Sequence, residues 1–208
     1  METAPQAKIV EITRTEAYES YLYKCLAPMP FRKYRNRQQY LENAIPKGFH
    51  KKILIYNEKV VGQIEYAPSL ISGYPIIGKR VVVVNCIWVL RKAKGHDFGK
   101  LLINNMKESE KNAFGFATIG LENHWSGWFK KDQLEELGFK SVDSIKVAHK
   151  FKRPEQVFSI YLMWMQAKQN ARPPSWKRQR LLMGETFCIA HPLYRSETTK
   201  GYILEEKR

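Results

Sequence analysis

The stretch LRKAKGHDFGKLLINNM, residues 90–106, carries residue types that suit the binding of a phosphate group. Gly95 and Gly99 let a ligand approach the backbone closely, and Lys94 and Lys100 add mobile positive charge. An apolar run precedes the glycines and a helical apolar pattern follows them, so free N–H groups and the positive end of a helix would point toward one spot. An ordinary glycine turn before a helix explains the same residues, and the spacing alone leaves both interpretations open.

Three other side chains are candidates for proton transfer or for orienting a substrate. Glu122 stands at the end of the short apolar strand GFATIGLE and is either a candidate general base or a solvated acid at a strand end. Glu65, in QIEYA, is the second candidate, and a structural role as the cross-strand partner of a lysine competes with it. His124 lies beside Trp125 and either orients a substrate or packs within its loop.

The three cysteines, Cys25, Cys86 and Cys188, lie far apart and show neither metal-ligand spacing nor the paired spacing of a secreted disulfide framework. We therefore expect reduced intracellular thiols and no metal site. Cys86 shares one strand face with Trp88 by the period of two, but no Cys-His-acid arrangement is readable. Cys86 is therefore interpreted as a buried structural thiol.

The elements that must position these residues alternate between strands and helices. Residues 51–57 and 59–67 read as two strands joined by a tight turn at Asn57 and Glu58, which predicts a hairpin. Residues 79–90, KRVVVVNCIWVL, are too apolar for a strand with a solvated face and form the predicted central strand. The other predicted elements are a first helix with a capping box at Thr13 and Glu16, a short helix through Leu41 and Ala44 ended by Pro46, a helix from Phe98 to about Asn112, a strand at 115–122, a helix ended by Gly138, and strands at about 141–151 and 156–165.

Within this order of elements, IWVLRKAKGHDFGKLL resembles the cofactor-binding segment of the GNAT acyltransferases, which has a strand, a glycine-rich loop and leucines on the next helix. The hairpin before it, the strand GFATIGLE after it and the ending LEELGF follow the family's order, and the likeness extends over residues 8 to 165. The positions that fit the family's pattern are Ile87, Trp88 and Val89 at the strand end, Lys94, Gly95 and Gly99 in the loop, and Leu101 and Leu102 on the helix.

The resemblance implies an α/β fold with a mixed, mainly antiparallel, twisted sheet and helices on both faces. It also implies that acetyl-CoA is the co-substrate and that the acetyl group passes directly to an amine. Pantetheine would run beside Trp88 and Val89, and the N–H groups of residues 95–100 would hold the pyrophosphate. The implied cofactor-binding residues are Ile87, Trp88, Val89, Lys94, Gly95, His96, Asp97, Phe98, Gly99 and Lys100.

In such a site Glu122 would take the proton of the amine, directly or through water, with Glu65 as second choice and His124 orienting the substrate. Two positions depart from the family's pattern. Asp97 replaces the middle glycine and puts negative charge beside the expected pyrophosphate, unless it faces outward or caps the helix. Leu134 stands where the family often has a tyrosine that protonates the leaving thiolate, so the general acid is not assigned.

Length, composition and net charge limit the domain organisation and the possible partners. A chain of 208 residues with 44% hydrophobic residues is of single-domain size, and we expect an acyltransferase domain at 1–165 and a basic extension at 166–208. Thirty-five Lys and Arg against 20 Asp and Glu give a net charge of +15, which attracts polyanions. The runs FRKYRNR, HKFKR and RPPSWKRQR keep two further readings open: an RNA- or ribonucleoprotein-binding module without acyltransferase activity, and an acetyltransferase that acts on such a partner.

The sequence shows no secretory signal and no apolar run long enough for a membrane span, so we expect a soluble cytoplasmic protein without a membrane partner. The identity of the amine acceptor and the oligomeric state are not readable. The extension either wraps the domain, supports a partner surface or orders only in a complex.

Overall fold

The computed structural model describes residues 7–14, 16–23, 26, 35–125, 127–151, 153–183 and 202–207, and only the backbone of residues 16 and 35–37. Cys25 and Cys188 lie outside the described residues, as do the side chains of the basic run FRKYRNR. Within the described helices, none is long and apolar enough to cross a membrane.

Ten strands in the described chain build two sheets. They are β1 Ala7–Glu11, β2 His50–Tyr56, β3 Lys59–Pro68, β4 Ile76–Ile77, β5 Val81–Val89, β6 Gly115–Glu122, β7 Lys140–His149, β8 Val157–Gln166, β9 Ser175–Trp176 and β10 Leu204–Glu206. The main sheet has the order β1-β2-β3-β5-β6-β8-β7-β10, while β4 and β9 pair separately. Every neighbouring pair is antiparallel except β5 and β6, which are parallel. The predicted central strand is confirmed, since β5 is fourth of eight.

Helices cover both faces of the main sheet. The described helices are α1 Glu19–Leu22, α2 Arg35–Ala44, α3 Phe98–Ser109, α4 Lys131–Glu136 and α5 Arg178–Met183. Because successive strand residues point to opposite faces, neighbours on β2 enter different cores. Leu54 packs in one core with Leu102 of α3, and Ile53 packs in the other with Leu41 of α2. The fold implied by the resemblance, a mainly antiparallel sheet between two helical layers, is therefore confirmed.

Local turn chemistry explains why most predicted boundaries agree with the structure. Asn57 and Glu58 have φ of 48° and 61°, so the β2–β3 hairpin closes through two left-handed residues, as a type I′ turn requires. Gly138 has a φ of 96°, and the N–H of Phe139 donates to the carbonyl of Leu134 at 3.0 Å. That bond is the predicted glycine cap of α4.

The predicted capping box at Thr13 and Glu16 is described only on its Thr13 side, because the Glu16 side chain lies outside the described residues. The Thr13 hydroxyl donates to the Glu11 carboxylate instead, and the first helical residues are a 3₁₀ turn at Glu16–Tyr18. The α-helix that follows has only four residues. A threonine next to a strand end can bond a nearby side chain as easily as a helix terminus. Here its hydroxyl bonds the carboxylate of Glu11, the last residue of β1.

The described parts of the C-terminal extension lie against the sheet. β10 extends the main sheet beside β7, and β9 pairs with β4. Leu181 of α5 is fully buried, and Ile203 and Leu204 are almost so. For these residues the extension wraps the domain, whereas the boundary at residue 166 stays a prediction.

Asp143 of β7 joins the extension to the sheet, since it accepts from Trp176 Nε1 at 2.6 Å and pairs with Arg178 at 3.0 Å. We expect Asp143→Ala to lower the free energy of unfolding by about 1–3 kcal/mol, because the half-buried indole N–H loses a charged acceptor. Glu206→Gln, which removes only a 3.9 Å exposed pair with Arg178, should change it little. Chemical denaturation of the three proteins measures this difference, and equal stabilities would contradict it.

Candidate active site

β5 and β6 are hydrogen-bonded for only three residue pairs, Val81–Val83 with Gly115–Ala117, and then separate. A register shift on the other side of β5 accompanies the separation: Glu65 pairs with Cys86 and Tyr66 with Val84, which leaves Asn85 as an extra residue. Such a β-bulge bends its strand. The two strands therefore enclose an opening that begins beside Asn85 and widens toward their carboxyl ends.

The two sides of this opening differ in what they offer a ligand. On β5, Leu90 N–H donates to Val61 of β3, so alternation turns the N–H and C=O groups of Ile87 and Val89 toward the opening. On β6, the N–H of Leu121 already donates to the carbonyl of Phe129 at 2.7 Å. Among the described residues, a ligand in the opening therefore finds unpaired backbone groups along β5 and the protein's own loop along β6.

The glycine loop, residues 94–99, follows β5 after a 3₁₀ turn at Arg91–Ala93 and ends in the first turn of α3. Gly95 has a φ of 89°, a backbone conformation that favours glycine. No described residue accepts a hydrogen bond from the N–H groups of residues 95 to 100. Asp97 precedes α3 in a left-handed conformation, and its side chain makes no capping bond. The helix thus presents uncapped N–H donors and its positive end, which suits an anion such as a pyrophosphate.

The side chains of the loop are arranged differently from one another. Asp97 faces outward, 78% exposed, and pairs with Lys100 at 3.2 Å. His96 stacks on Phe98 at 5.0 Å between ring centroids. Gly99 has a packing role, because a Cβ there would lie 3.3 Å from Leu137 at the end of α4. Of the two states predicted for Asp97, the outward-facing one is present.

Two buried polar atoms on β5 have no partner among the described residues: Asn85 Oδ1 and Trp88 Nε1. A buried donor or acceptor without a partner is costly, and a ligand can remove that cost. Trp88 was part of the predicted cofactor site, whereas Asn85 was missed, because a bulge has no reliable signature in a run such as VVVVNCIWV.

Glu122 lies at the end of β6 in a small polar network. Its Oε2 accepts from the Tyr161 hydroxyl of β8 at 2.7 Å, and its Oε1 lies 3.4 Å from Lys131 Nζ. The Lys131 ammonium also lies over the Tyr161 ring, 4.8 Å from its centroid. The hydrogen bond to Glu122, followed by burial, raises the pKa of the Tyr161 hydroxyl. Sequence reasoning missed Tyr161 and Lys131, since each reaches Glu122 from a separate element.

Leu134, where the family often has a tyrosine, is buried and offers no proton. His124 packs with aromatic rings, with centroids 4.0 Å from Trp125 and 4.6 Å from Phe158. Within the described residues, no cluster of three or more His, Cys, Asp and Glu side chains is placed to hold a metal ion.

Glu65 forms an ion pair with its cross-strand neighbour Lys51, with Oε1 and Nζ 2.8 Å apart and side chains 4% and 0% exposed. Lys51 Nζ also donates to the carbonyl of Leu22 at 3.4 Å. On the same sheet face, Gln63 Nε2 lies 3.2 Å from Cys86 Sγ. Glu65 therefore has the lysine partner that its competing structural interpretation requires, and a catalytic role for it stays a prediction.

Neither a protein-family model nor a curated protein sequence matches this chain. Solved structures do. A GNAT-family acetyltransferase of Elizabethkingia anophelis with acetyl-CoA bound aligns with 77% of this chain and 97% of its own, at 15% identity and a TM-score of 0.50. The ribosomal-protein-S18-alanine N-acetyltransferase of Escherichia coli aligns over 80% and 99%, at 11% identity and a TM-score of 0.54. A GNAT-family protein of Desulfovibrio desulfuricans aligns with 78% of this chain and 100% of its own, at 9% identity and a TM-score of 0.57. The chain has the GNAT fold, which confirms the resemblance in its sequence.

A structural role for the Lys51–Glu65 pair predicts a specific pattern of stabilities. Glu65→Leu should lower the free energy of unfolding by about 3–5 kcal/mol, because it removes the carboxylate that pairs with a buried ammonium. The double variant Lys51→Met, Glu65→Leu should recover most of that loss, since two apolar side chains replace the pair. Chemical denaturation of the parent, single and double variants tests this pattern. A double variant with a lower free energy of unfolding than Glu65→Leu would contradict it.

Proposed function

We propose that this protein is an acetyl-CoA-dependent N-acetyltransferase that passes the acetyl group directly to an amine. The observation that carries the proposal is the continuity of two donor surfaces. The free backbone groups of Ile87 and Val89 lead into the uncapped N–H groups of residues 95–100. An extended ligand with an amide-bearing arm and a pyrophosphate fits both surfaces at once. The alternative of an RNA-binding module without acyltransferase activity has no support from the fold.

The proposed cofactor site uses the predicted residues in distinct ways. The N–H and C=O groups of Ile87 and Val89 pair with pantetheine amides, and Trp88 Nε1 is a buried donor that lacks a partner among the described residues. The N–H groups from Gly95 to Lys100 face the pyrophosphate, and exposed Lys94 adds positive charge. Bound acetyl-CoA supplies the acetyl group as an activated thioester.

Glu122 is the proposed general base. Glu122 is the last residue of β6 and its side chain is 41% exposed, so an incoming amine or an intervening water can reach it. Tyr161 and Lys131 hold the carboxylate in place through its two oxygens. Glu65 is the weaker candidate, because its carboxylate is buried against Lys51. Catalysis then depends on positioning the amine against the thioester while Glu122 removes a proton.

The acceptor is proposed only as an amine. A nucleic-acid or ribonucleoprotein partner rests on the net charge of +15, and the cytoplasmic location rests on the sequence alone. One described feature agrees with a polyanionic partner: Arg153 lies over the Trp125 ring, 5.8 Å from its centroid, in the basic run HKFKR.

CoA should bind and raise the melting temperature, because a ligand specific to the folded protein stabilises it by mass action. Asp97→Asn should tighten binding about 3- to 10-fold at low salt, since it removes a negative charge near the pyrophosphate and frees Lys100. Asparagine tolerates the left-handed backbone at φ 51°, so the loop should keep its shape. Isothermal titration calorimetry measures both effects.

Glu108→Gln is the matched control, because Glu108 pairs with Lys111 at the opposite end of α3. Its affinity for CoA should equal that of the parent. Absence of CoA binding to the parent at millimolar concentration would refute the proposed function. Parent-like affinity of Asp97→Asn would refute only the electrostatic role of Asp97.

Glu122→Gln keeps the shape of the side chain but removes the base, so turnover should fall about 10²-fold with little change in CoA affinity. The Tyr161 pKa should fall toward its ordinary value, because the charged acceptor that raises it is gone. Steady-state kinetics and an NMR titration of the tyrosines measure the two effects. The control is Glu135→Gln, since Glu135 is the other carboxylate near Lys131, at 3.6 Å. Equal turnover in the two variants would remove Glu122 from catalysis.

A further inference from the structure

Two loops meet at the end of the main sheet where β6 ends. Residues 123–130 connect β6 to α4, and residues 150–156 connect β7 to β8. The side-chain amide of Gln156 donates to the carbonyl of Asn123 at 2.8 Å, so the second loop is joined to the residue that follows Glu122. The two loops together form a surface, the loop face, next to the proposed general base.

The loop face is basic. In sequence the two loops carry four Lys and Arg residues against one acid, namely Lys130, Lys150, Lys152 and Arg153 against Glu155. The side chains of Lys130, Lys150 and Arg153 are exposed. The carboxylate of Glu122, which precedes the first loop, is already paired with Lys131. This excess of positive charge suits a polyanion.

Aromatic rings lie among these charges. The Arg153 guanidinium lies over the Trp125 ring, 5.8 Å from its centroid, and His124 stacks on the same ring at 4.0 Å between centroids. The His149 ring contacts both Trp125 and Phe151, with centroids 6.3 and 6.2 Å away. Phe151 itself is 62% exposed. The cations and the rings therefore form one continuous surface, in which the Phe151 ring is open to a partner.

Arg153 is held in place before any partner binds. Its backbone φ is 50°, a left-handed conformation that is costly for a residue with a Cβ. The N–H of Gln156 closes the turn by donating to the Arg153 carbonyl at 2.9 Å. Because the loop fixes the guanidinium over Trp125, binding a partner costs less side-chain entropy. Backbone strain of this kind is found at segments that clamp ligands.

We propose that the loop face binds single-stranded nucleic acid, with phosphates on its lysines and bases stacked on Phe151 and Arg153. Unstacked bases pack on aromatic rings and on guanidinium planes, while basic side chains follow the backbone. A duplex offers the same phosphates but keeps its bases stacked inside, which would leave Phe151 without a partner. The inference rests on the proposed function only in making this strand the partner of the acetyltransferase, bound beside Glu122.

The test titrates the whole protein into a fluorescein-labelled oligouridylate of about 12 nucleotides, a length within the range of single-strand sites, and measures anisotropy. Affinity should fall as the salt concentration rises, because bound lysines and arginines release counterions. Phe151→Ala should weaken binding about 5- to 100-fold, since one stacking ring is lost. Arg153→Gln should weaken binding and reduce the slope of log affinity against log salt by about 0.7.

Leu70→Ala and Arg172→Gln are the matched controls. Leu70 is an 84% exposed apolar side chain that follows β3, and Arg172 is an exposed arginine that follows β8. Both lie beyond the opposite end of the sheet, since the ends of β3 and β8 pair with the starts of β5 and β6. Both variants should bind the oligonucleotide as tightly as the parent does.

The inference is overturned if the parent does not bind the oligonucleotide at low salt, or if the loop-face variants bind it as tightly as the controls do. Tighter binding of a duplex of the same length would also overturn it. Loop-face variants that lose binding to phosphatidylglycerol vesicles but keep the oligonucleotide would assign the surface to a membrane instead. CoA affinity should be the same in all variants. Absence of CoA binding to the parent would reject the proposed function and leave the oligonucleotide result standing.

Discussion

The early separation of β5 from β6 is the constraint on which the candidate site depends. Parallel strands that stop pairing expose N–H and C=O groups inside a sheet, and each exposed group needs another partner. The chain supplies some itself: Thr118 bonds the Val84 carbonyl, and Phe129 bonds Leu121 of β6. No described residue bonds the groups of Ile87 and Val89, where the cofactor arm is proposed to lie. The bulge at Asn85 lets β5 bend away while its ladder with β3 continues.

Keeping this opening has a structural cost. Phe129, which covers the β6 side, has a φ of 49°, a left-handed conformation that is costly for a bulky side chain. It is 94% buried beside Trp128, with ring centroids 4.7 Å apart, so packing holds it there. Strain of this kind persists where surrounding contacts outweigh it. Here its effect is to leave the opening accessible from the β5 side.

At the end of the site where the pyrophosphate is proposed to bind, the backbone turns the one carboxylate of the loop away. Asp97 has a left-handed backbone, and its side chain pairs with Lys100 in solvent. This pair partly neutralises the positive charge of Lys100 that would otherwise face the ligand. The remaining attraction comes from backbone N–H groups, which are fixed by the fold and cost no side-chain entropy to place.

The sequence by itself determined the hairpin, the central strand and the later elements as far as β8, in the right order, whereas β1, β4, β9, β10 and α5 were not predicted. The two-residue turn at Asn57, the glycine cap at Gly138 and the apolar run of β5 each act over a few residues, so local chemistry was enough. The glycine loop was readable for the same reason. Only the tertiary structure decided which groups share the site. Tyr161 meets Glu122 across two strands, and Asn85 is left out of the β3–β5 pairing by a register shift. Both depend on how distant segments align, and a pattern of neighbouring residues carries no record of that alignment.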